Sequence, residues 1–276
     1  MLPSSHVRVY AFLMPAMNRL SHSPDWQALT DAAPLPQHWA YGQTMERLGA
    51  RVGRCLLQGR AVQFVERRGL RLVHRAPADL GLAPLARHGG ITLAITQARG
   101  PGMVPLITPR FHAEWLLDAP LPALRAAMRP TWRRALDQAG ARVVEDPGAL
   151  SAVLAAASGV MKGRGVKALP PAFANAWAGG VLVLRAGPSA RMTGGAVFLI
   201  HGQGATYHAA WASDRGRAEG APRALLWQAA LILRARGVTR LDLGAFDAAS
   251  PGLAGFKLGS GAMPVSLGPT ALVLPF

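Results

Sequence analysis

The stretch APRALLWQAALILRARGVTRLDLG, residues 221–244, decides the fold class. Pro222 stands where a helix begins, apolar residues recur three or four positions apart up to Leu233, and Gly237 follows as a stop signal. The apolar run Val238–Leu243 then has the composition of a buried strand. A helix that leads directly into a strand is typical of a crossover connection, so this stretch predicts a mixed α/β order around it.

Further apolar runs of strand length lie on both sides of this unit. They are rich in β-branched or aromatic residues and are bounded by glycine-containing turns. The predicted strands are 181–185, 194–201, 205–211 and 265–274. Amphipathic spacing predicts helices over 120–136, with a kink at Pro130, and over 147–160, while 255–261 is a glycine-rich segment.

The first part of the chain has a different pattern, in which Gly and Pro separate short apolar runs. This pattern predicts strands of one antiparallel sheet, preceded by a loop over 21–36 and a helix over 37–51. The predicted strands are 52–57, 61–65, 70–74, 91–96 and 103–108. Together the two regions predict an α+β protein. The length leaves room for one large domain or for two, and the change of pattern near residue 120 favours a division into residues 1–119 and 120–276.

The composition narrows the function classes. Half of the 276 residues are hydrophobic and 16% are charged, which is typical of a globular chain. The one cysteine, Cys55, excludes an internal disulfide and a cysteine-based zinc cluster, and it favours a reducing compartment. The histidines show no paired zinc-enzyme spacing, so we expect no metal. No motif of a nucleophilic hydrolase is present either.

The net charge of +16 is carried almost entirely by arginine. It has two explanations that stay open here, a codon bias that favours arginine or selection for an anionic partner. The apolar run 7–17 lacks the features of a signal peptide, and no apolar stretch is long enough to span a bilayer. We therefore expect a cytoplasmic protein whose basic surface is compatible with peripheral contact with an anionic membrane.

The loop before the residue 222 helix is a candidate anion site. Its sequence, DRGRAEGAP over 214–222, offers backbone amides, the positive end of a helix dipole and arginines that pair with phosphate oxygens. Any surface loop of this composition contains Gly and Arg, so a loop without a ligand is the alternative.

Several short motifs occur in the same order as in a known family. Their sequences are Gln37-His38-Trp39-Ala40-Tyr41-Gly42, Thr131-Trp132-Arg133-Arg134-Ala135-Leu136, Leu226-Trp227, Leu241-Asp242-Leu243-Gly244, Gly252-Leu253 and Phe256-Lys257-Leu258-Gly259. With them the chain resembles the Fem-type (FemAB) peptidoglycan aminoacyltransferases, which are tandem GNAT-like proteins. The resemblance covers most of the chain and implies two GNAT-like domains, of mixed and mostly antiparallel sheets with flanking helices, the first shortened.

The resemblance implies an enzyme that transfers an acyl group to an amine. The donor is acyl-coenzyme A in GNAT enzymes, used as a co-substrate rather than a permanently bound cofactor, or aminoacyl-tRNA in the Fem type, with a cell-wall precursor as acceptor. Segment 217–220 fits the start of the GNAT phosphate loop, whereas Pro222 departs from its last position. The donor-binding candidates are Arg215, Arg217, Gly220, Ala221 and Arg223. A non-catalytic basic binding module is the third hypothesis.

The catalytic candidates lie in the same C-terminal half. By resemblance Lys257 faces the transfer site, although a lysine in an exposed loop would need no role. Asp242 lies inside an apolar strand, where it either approaches the amine or bonds to backbone amides or an arginine. Asp247 follows the end of that strand. Tyr207 is either a core tyrosine or a cleft residue.

Overall fold

A computed structural model describes residues 23–87, 90–163, 170–246 and 250–275. The first six strands and the helices among them come from the N-terminal part. The helices are α1 (Ser23–Thr30), α2 (Trp39–Arg47) and α3 (Ala83–Ala86). The strands are β1 (Arg51–Leu57), β2 (Arg60–Arg67), β3 (Leu70–His74), β4 (Ile91–Ile95), β5 (Met103–Ile107) and β6 (Phe111–Leu116).

The remaining elements alternate between helices and strands. The helices are α4 (Leu121–Ala127), α5 (Pro130–Asp137), α6 (Leu150–Gly163), α7 (Pro171–Asn175), α8 (Asp214–Ala218), α9 (Ala221–Ala235) and α10 (Pro251–Gly259). The strands are β7 (Val143–Glu145), β8 (Gly180–Ala186), β9 (Gly194–His201), β10 (Gly204–Ala212), β11 (Arg240–Phe246), β12 (Met263–Ser266) and β13 (Thr270–Val273). Among the described residues, no helix has both the length and the apolar character to cross a membrane.

Two sheets organise these strands. The first has the order β1-β2-β3-β4-β13-β5 and the second has the order β12-β6-β11-β10-β9-β8-β7. The division at residues 119 and 120 stays a prediction. The two sheets do not follow this division strictly. Strand β6 precedes residue 119 but lies in the second sheet, and β13 follows residue 120 but lies in the first sheet.

The second sheet is covered by helices on both faces. Alternate residues of β9 point to opposite sides, so that Phe198 joins the core under α9 and α5, whereas Val197 joins the core under α6. On α9 the apolar stripe seen in the sequence faces this core, with Leu226 and Leu233 fully buried. The helix thus crosses from the end of β10 to β11, which are parallel.

Most predicted elements are confirmed within a few residues, including the break of the 120–136 helix at Pro130. Five predictions were wrong. The loop over 214–222 contains the short helix α8, whose first turn is capped by the Ser213 side chain. The first sheet is not purely antiparallel, because β3 and β4 pair in parallel. The loop over 21–36 contains α1, the helix over 37–51 is shortened to α2, and the glycine-rich segment 255–261 is helical up to Gly259. Proline near the first turn starts α10, and packing against α5 compensates for the low helix propensity of its glycines.

Candidate active site where two strands diverge

Strands β10 and β11 lie side by side only at their beginnings. Their register ends at the pair Thr206 and Asp242, although the strands continue to Ala212 and Phe246. A bulge in β10 begins at Tyr207. Beyond that pair the two strands are not joined in the ladder, and we call this unpaired region, at the carboxyl edge of the sheet, the opening. This edge is the usual ligand side of α/β sheets.

Three elements meet at this edge. The chain leaves β10 at Ala212 and enters α9 at Ala221, so the amino end of α9 lies at the same edge as the opening. Helix α10 follows β11 and packs on it and on α5. Its orientation is fixed by Trp132, whose Nε1 donates a hydrogen bond to the carbonyl of Phe256 at 3.0 Å. The Lys257 side chain is therefore held by packing on a helix rather than by a free loop.

Lys257 is 5% exposed and lies against the last part of β11. Its Nζ donates a hydrogen bond to the carbonyl of Ala245 at 2.8 Å, and a Cβ built on Gly244 would lie 3.4 Å from that Nζ. Gly244 has a φ of 80°, which favours glycine and turns the strand under the lysine. Burial lowers the pKa of Lys257 to about 8, although the Asp242 carboxylate acts in the opposite direction.

The carboxylate of Asp242 contacts three groups that donate hydrogen bonds or carry positive charge. Its Oδ1 accepts a hydrogen bond from the backbone N–H of Gly244 at 2.7 Å and lies 3.0 Å from Nδ1 of His112, and its Oδ2 pairs with Arg75. Burial acts to raise the pKa of Asp242, but the His112 hydrogen bond, the Arg75 charge and the Gly244 amide together hold it well below its usual range. The carboxylate is therefore ionised, and each of its two oxygens already has a partner within the protein.

The partners of Asp242 come from distant parts of the chain. Arg75 follows β3 in the first sheet, with a φ of 53°, and its backbone N–H donates to the carbonyl of Ile95 at 2.6 Å. Nη2 of Arg75 lies 3.3 Å from Nε2 of His112 and 3.8 Å from Oε2 of Glu114. Because arginine only donates, Nε2 of His112 is the acceptor and its Nδ1–H faces Asp242.

A pair of buried histidines extends this polar region along the same sheet face. His201 on β9 lies 3.0 Å from Oγ1 of Thr206, and its ring centroid lies 5.5 Å from that of His38. Burial lowers the pKa of His201 to about 3 and that of His38 to about 4. Both rings are neutral at physiological pH.

The donor-binding candidates separate into two groups. Arg215 forms an ion pair with Glu219, and Arg217 forms one with Asp214, and all of these lie in or beside the short helix α8. Gly220 precedes α9 with a φ of 75°, and a Cβ built there would lie 2.8 Å from Cβ of Ala139, so this residue is packed against the end of α5.

Ala221 and Arg223 form the second group, in the first turn of α9. Ala221 is fully buried. Arg223 is partly buried, and its guanidinium makes no hydrogen bond or ion pair with the described residues. Among the five candidates it is therefore the arginine whose charge is not already matched by an acid.

The structure places the remaining candidates as follows. Tyr207 packs against Phe198 with ring centroids 5.2 Å apart, in the core under α9, and burial raises its pKa. Asp247 lies outside the described residues. Lys257 and Asp242 are brought together at Gly244, whereas the α8 arginines belong to a separate, exposed segment. In the described ranges, no group of three acids, histidines or cysteines is arranged to hold a metal.

Sequence reasoning missed Arg75 and His112. The one available signal was Asp242 itself, since an ionised group in an apolar strand requires cationic or amide partners. Nothing in the sequence indicates which of the 30 lysines and arginines and eight histidines supply them.

Comparison with solved structures identifies the architecture. The structure of FemX superposes on this chain with a TM-score of 0.72 at 13% identity, covering 91% of this chain and 96% of FemX. The chain has the fold of FemX. This confirms the tandem GNAT-like fold predicted from the motifs, including the pair of mixed sheets with flanking helices.

Two further structures share this fold. A C-terminal domain of type DUF2156 from Agrobacterium fabrum, from a protein proposed to be a lysylphosphatidylglycerol synthetase, has a TM-score of 0.58 at 14% identity and coverages of 91% and 92%. L-PGS from Bacillus licheniformis has a TM-score of 0.51 at 13% identity and covers 92% of each chain. No family model matches the sequence, and no curated protein matches it.

Proposed function

We propose that the chain is an N-acyltransferase that moves an acyl group from a coenzyme A thioester to an amine. The observation that carries this proposal is the buried Lys257 ammonium beside the opening between β10 and β11. The amino end of α9, which favours anions, lies at the same edge of the sheet. A phosphate-bearing donor at α9 would direct its acyl end toward the opening.

The chemistry requires an amine to attack the carbonyl carbon of the thioester. The new C–N bond forms while negative charge develops on the carbonyl oxygen, and the C–S bond then breaks, with the amine proton passing to the thiolate that leaves. In this proposal Lys257 stabilises the oxyanion. With a pKa of about 8, its amine is mostly protonated at neutral pH, as this role requires.

Asp242 has a supporting role in this proposal. Its low pKa makes it a weak base, and its oxygens are already bonded to Arg75, His112 and the Gly244 amide. It therefore holds the turn at Gly244, over which the Lys257 amine lies. The donor phosphates are assigned to Arg223 and the amino end of α9, with Arg215, Arg217, Gly220 and Ala221 forming the segment that leads into this helix.

A second candidate keeps the same site and takes an aminoacyl-tRNA as donor and a peptidoglycan precursor as acceptor. The ion pairs in the segment before α9 favour this second candidate. Arg215 pairs with Glu219 and Arg217 with Asp214, so fewer cationic groups are free to bind the pyrophosphate of coenzyme A. The likeness to FemX and the net charge of +16 also support a polyanionic donor.

The test measures transfer from acetyl-coenzyme A and from aminoacyl-tRNA to a panel of primary amines and amino-acid amides. We expect acetyl-coenzyme A to yield amide product, whereas product from aminoacyl-tRNA alone would favour the second candidate. Lys257→Met should abolish the product without lowering the melting temperature. Lys162→Met, at an exposed position on α6, is the matched control and should retain activity. Full activity of Lys257→Met, or failure to bind either donor in calorimetry, would overturn the proposal.

A further inference from the structure

The free edge of the first sheet is an apolar strand whose side chains are exposed. Among the described strands β5 pairs only with β13, and its residues Val104, Leu106 and Ile107 are 42%, 56% and 54% exposed. Phe111, at the start of β6, is 46% exposed. We call these four residues the β5 patch. They lie within eight positions of one another in the sequence, and exposed apolar residues gathered in one segment mark an interaction surface or an aggregation hazard.

Positive charge flanks the β5 patch at both ends. Arg99 lies in the loop that enters β5 and Arg110 in the loop that leaves it, and both are exposed. Neither guanidinium forms an ion pair with any residue that the structure describes. In the sequence, no acidic residue occurs between Asp79 and Glu114. The segment that carries the patch is therefore apolar and cationic.

Strand addition by a second copy of the chain does not fit this edge well. Pro105 stands in the middle of β5 and lacks a backbone N–H, a common device that protects sheet edges from pairing. Two copies meeting here would also bring like charges together, since each carries +16. A flat anionic layer with an apolar interior matches both features of the surface.

We propose that the β5 patch docks the protein on an anionic lipid bilayer, with Leu106 and Ile107 inserted at the interface and Arg99 and Arg110 on the headgroup phosphates. This inference goes beyond the proposed function. Membrane docking also bears on the proposed function, because Phe111 of the patch directly precedes His112, which contacts Asp242. Docking would bring the candidate active site close to the membrane surface.

Vesicle flotation tests this proposal without any substrate. The full chain should bind vesicles of mixed phosphatidylcholine and phosphatidylglycerol, and should bind pure phosphatidylcholine vesicles much less. Leu106→Ser with Ile107→Ser should weaken binding to the mixed vesicles about tenfold or more, because two apolar side chains lose their burial. Arg99→Gln with Arg110→Gln should weaken it by about fivefold for each arginine.

Matched variants at the opposite end of the first sheet serve as controls. Leu29 on α1 is 54% exposed, the same fraction as Ile107, and α1 contacts β2, which three strands separate from β5. Leu29→Ser, and Arg51→Gln with Arg67→Gln, should leave vesicle binding unchanged. All variants are first compared by thermal melting.

Three results would overturn the proposal. Equal loss of binding in the control arginine pair would indicate attraction by net charge alone, and unchanged binding of the serine variant would exclude insertion of the patch. A dimer in light scattering that is lost in Ile107→Ser, with no binding to vesicles, would assign the patch to a second copy of the chain.

Discussion

The guanidinium of Arg75, from the first sheet, forms an ion pair with the carboxylate of Asp242, in the middle of the second sheet. Both side chains are largely buried, at 18% and 12% exposure. Asp242 in turn bonds the amide of Gly244, over which the Lys257 amine lies. A single chain of contacts therefore joins the N-terminal sheet to the lysine at the candidate site.

The first prediction concerns the strength of this ion pair. Arg75→Ala leaves a buried carboxylate without its cation and should lower the free energy of unfolding by about 3–5 kcal/mol. Arg75→Ala with Asp242→Asn should cost less than the sum of the single changes, because the second change removes the uncompensated charge. Urea denaturation of the four proteins measures this coupling.

Arg60→Ala is the matched control for that cycle. Arg60 pairs with Asp79 in the same sheet, but their side chains are 54% and 68% exposed, so its loss should change stability little. Strict additivity of the Arg75 and Asp242 changes would contradict the contact network.

The second prediction concerns the titration of Lys257. The chain has three lysines, so ¹³C-labelled lysine side chains give few NMR signals to follow with pH. The Lys257 signal should titrate with a midpoint of about 8, below the ordinary lysine value of 10.5. Asp242→Asn should lower this midpoint further, because the carboxylate favours the ammonium form, and Arg75→Gln should raise it. A midpoint at the ordinary value would mean that the amine is exposed to solvent.

The third prediction concerns acid stability. Burial lowers the pKa of His201 to about 3, below the ordinary value of 6.5, so the unfolded chain binds a proton that the folded chain excludes. This contribution to stability is complete above pH 6.5 and is lost as the pH falls from about 6.5 toward about 3. In His201→Gln the slope of unfolding free energy against pH should decrease by about 1.4 kcal/mol per pH unit within this window. Identical slopes for the variant and the natural chain would show that His201 is protonated in the folded state.

The fourth prediction concerns the donor phosphate. Arg223 has no acidic partner among the described residues, whereas Arg215 is paired with Glu219. Arg223→Gln should weaken donor binding about tenfold or more, the loss expected for a charged hydrogen bond, and Arg215→Gln should have little effect. Isothermal titration calorimetry with acetyl-coenzyme A compares the two. The reverse order of effects would place the phosphate on α8 rather than at α9.

The sequence predicts those elements whose signals are local. Helix α9 is marked by Pro222, by apolar spacing and by Gly237 within one continuous stretch, and the structure confirms it as Ala221–Ala235. Helix α10 was missed because its stability comes from contacts with α5, such as the Trp132 hydrogen bond to the Phe256 carbonyl, rather than from its own residues.

The site shows the same division. Asp242 was a candidate because a carboxylate in an apolar strand requires partners that compensate its burial. Its ionised state follows from those partners. Arg75 could not be assigned as the partner, since 167 positions separate the two and many arginines compete. The parallel pairing of β3 with β4 could not be predicted for a related reason. An apolar run of strand length does not indicate whether the strand pairs parallel or antiparallel to its neighbour.

The position of β13 has a consequence for biosynthesis. Strand β13 (Thr270–Val273) lies between β4 and β5 and pairs with both, so that the strand partner of Met103 is Val273. A ribosome releases residues in order, and β5 therefore lacks its partner strand until residues 270–273 have emerged. Nascent copies that stall before that point would expose the lipid-facing strand to chaperones, so the first sheet is completed only after the strands of the second sheet have been synthesised.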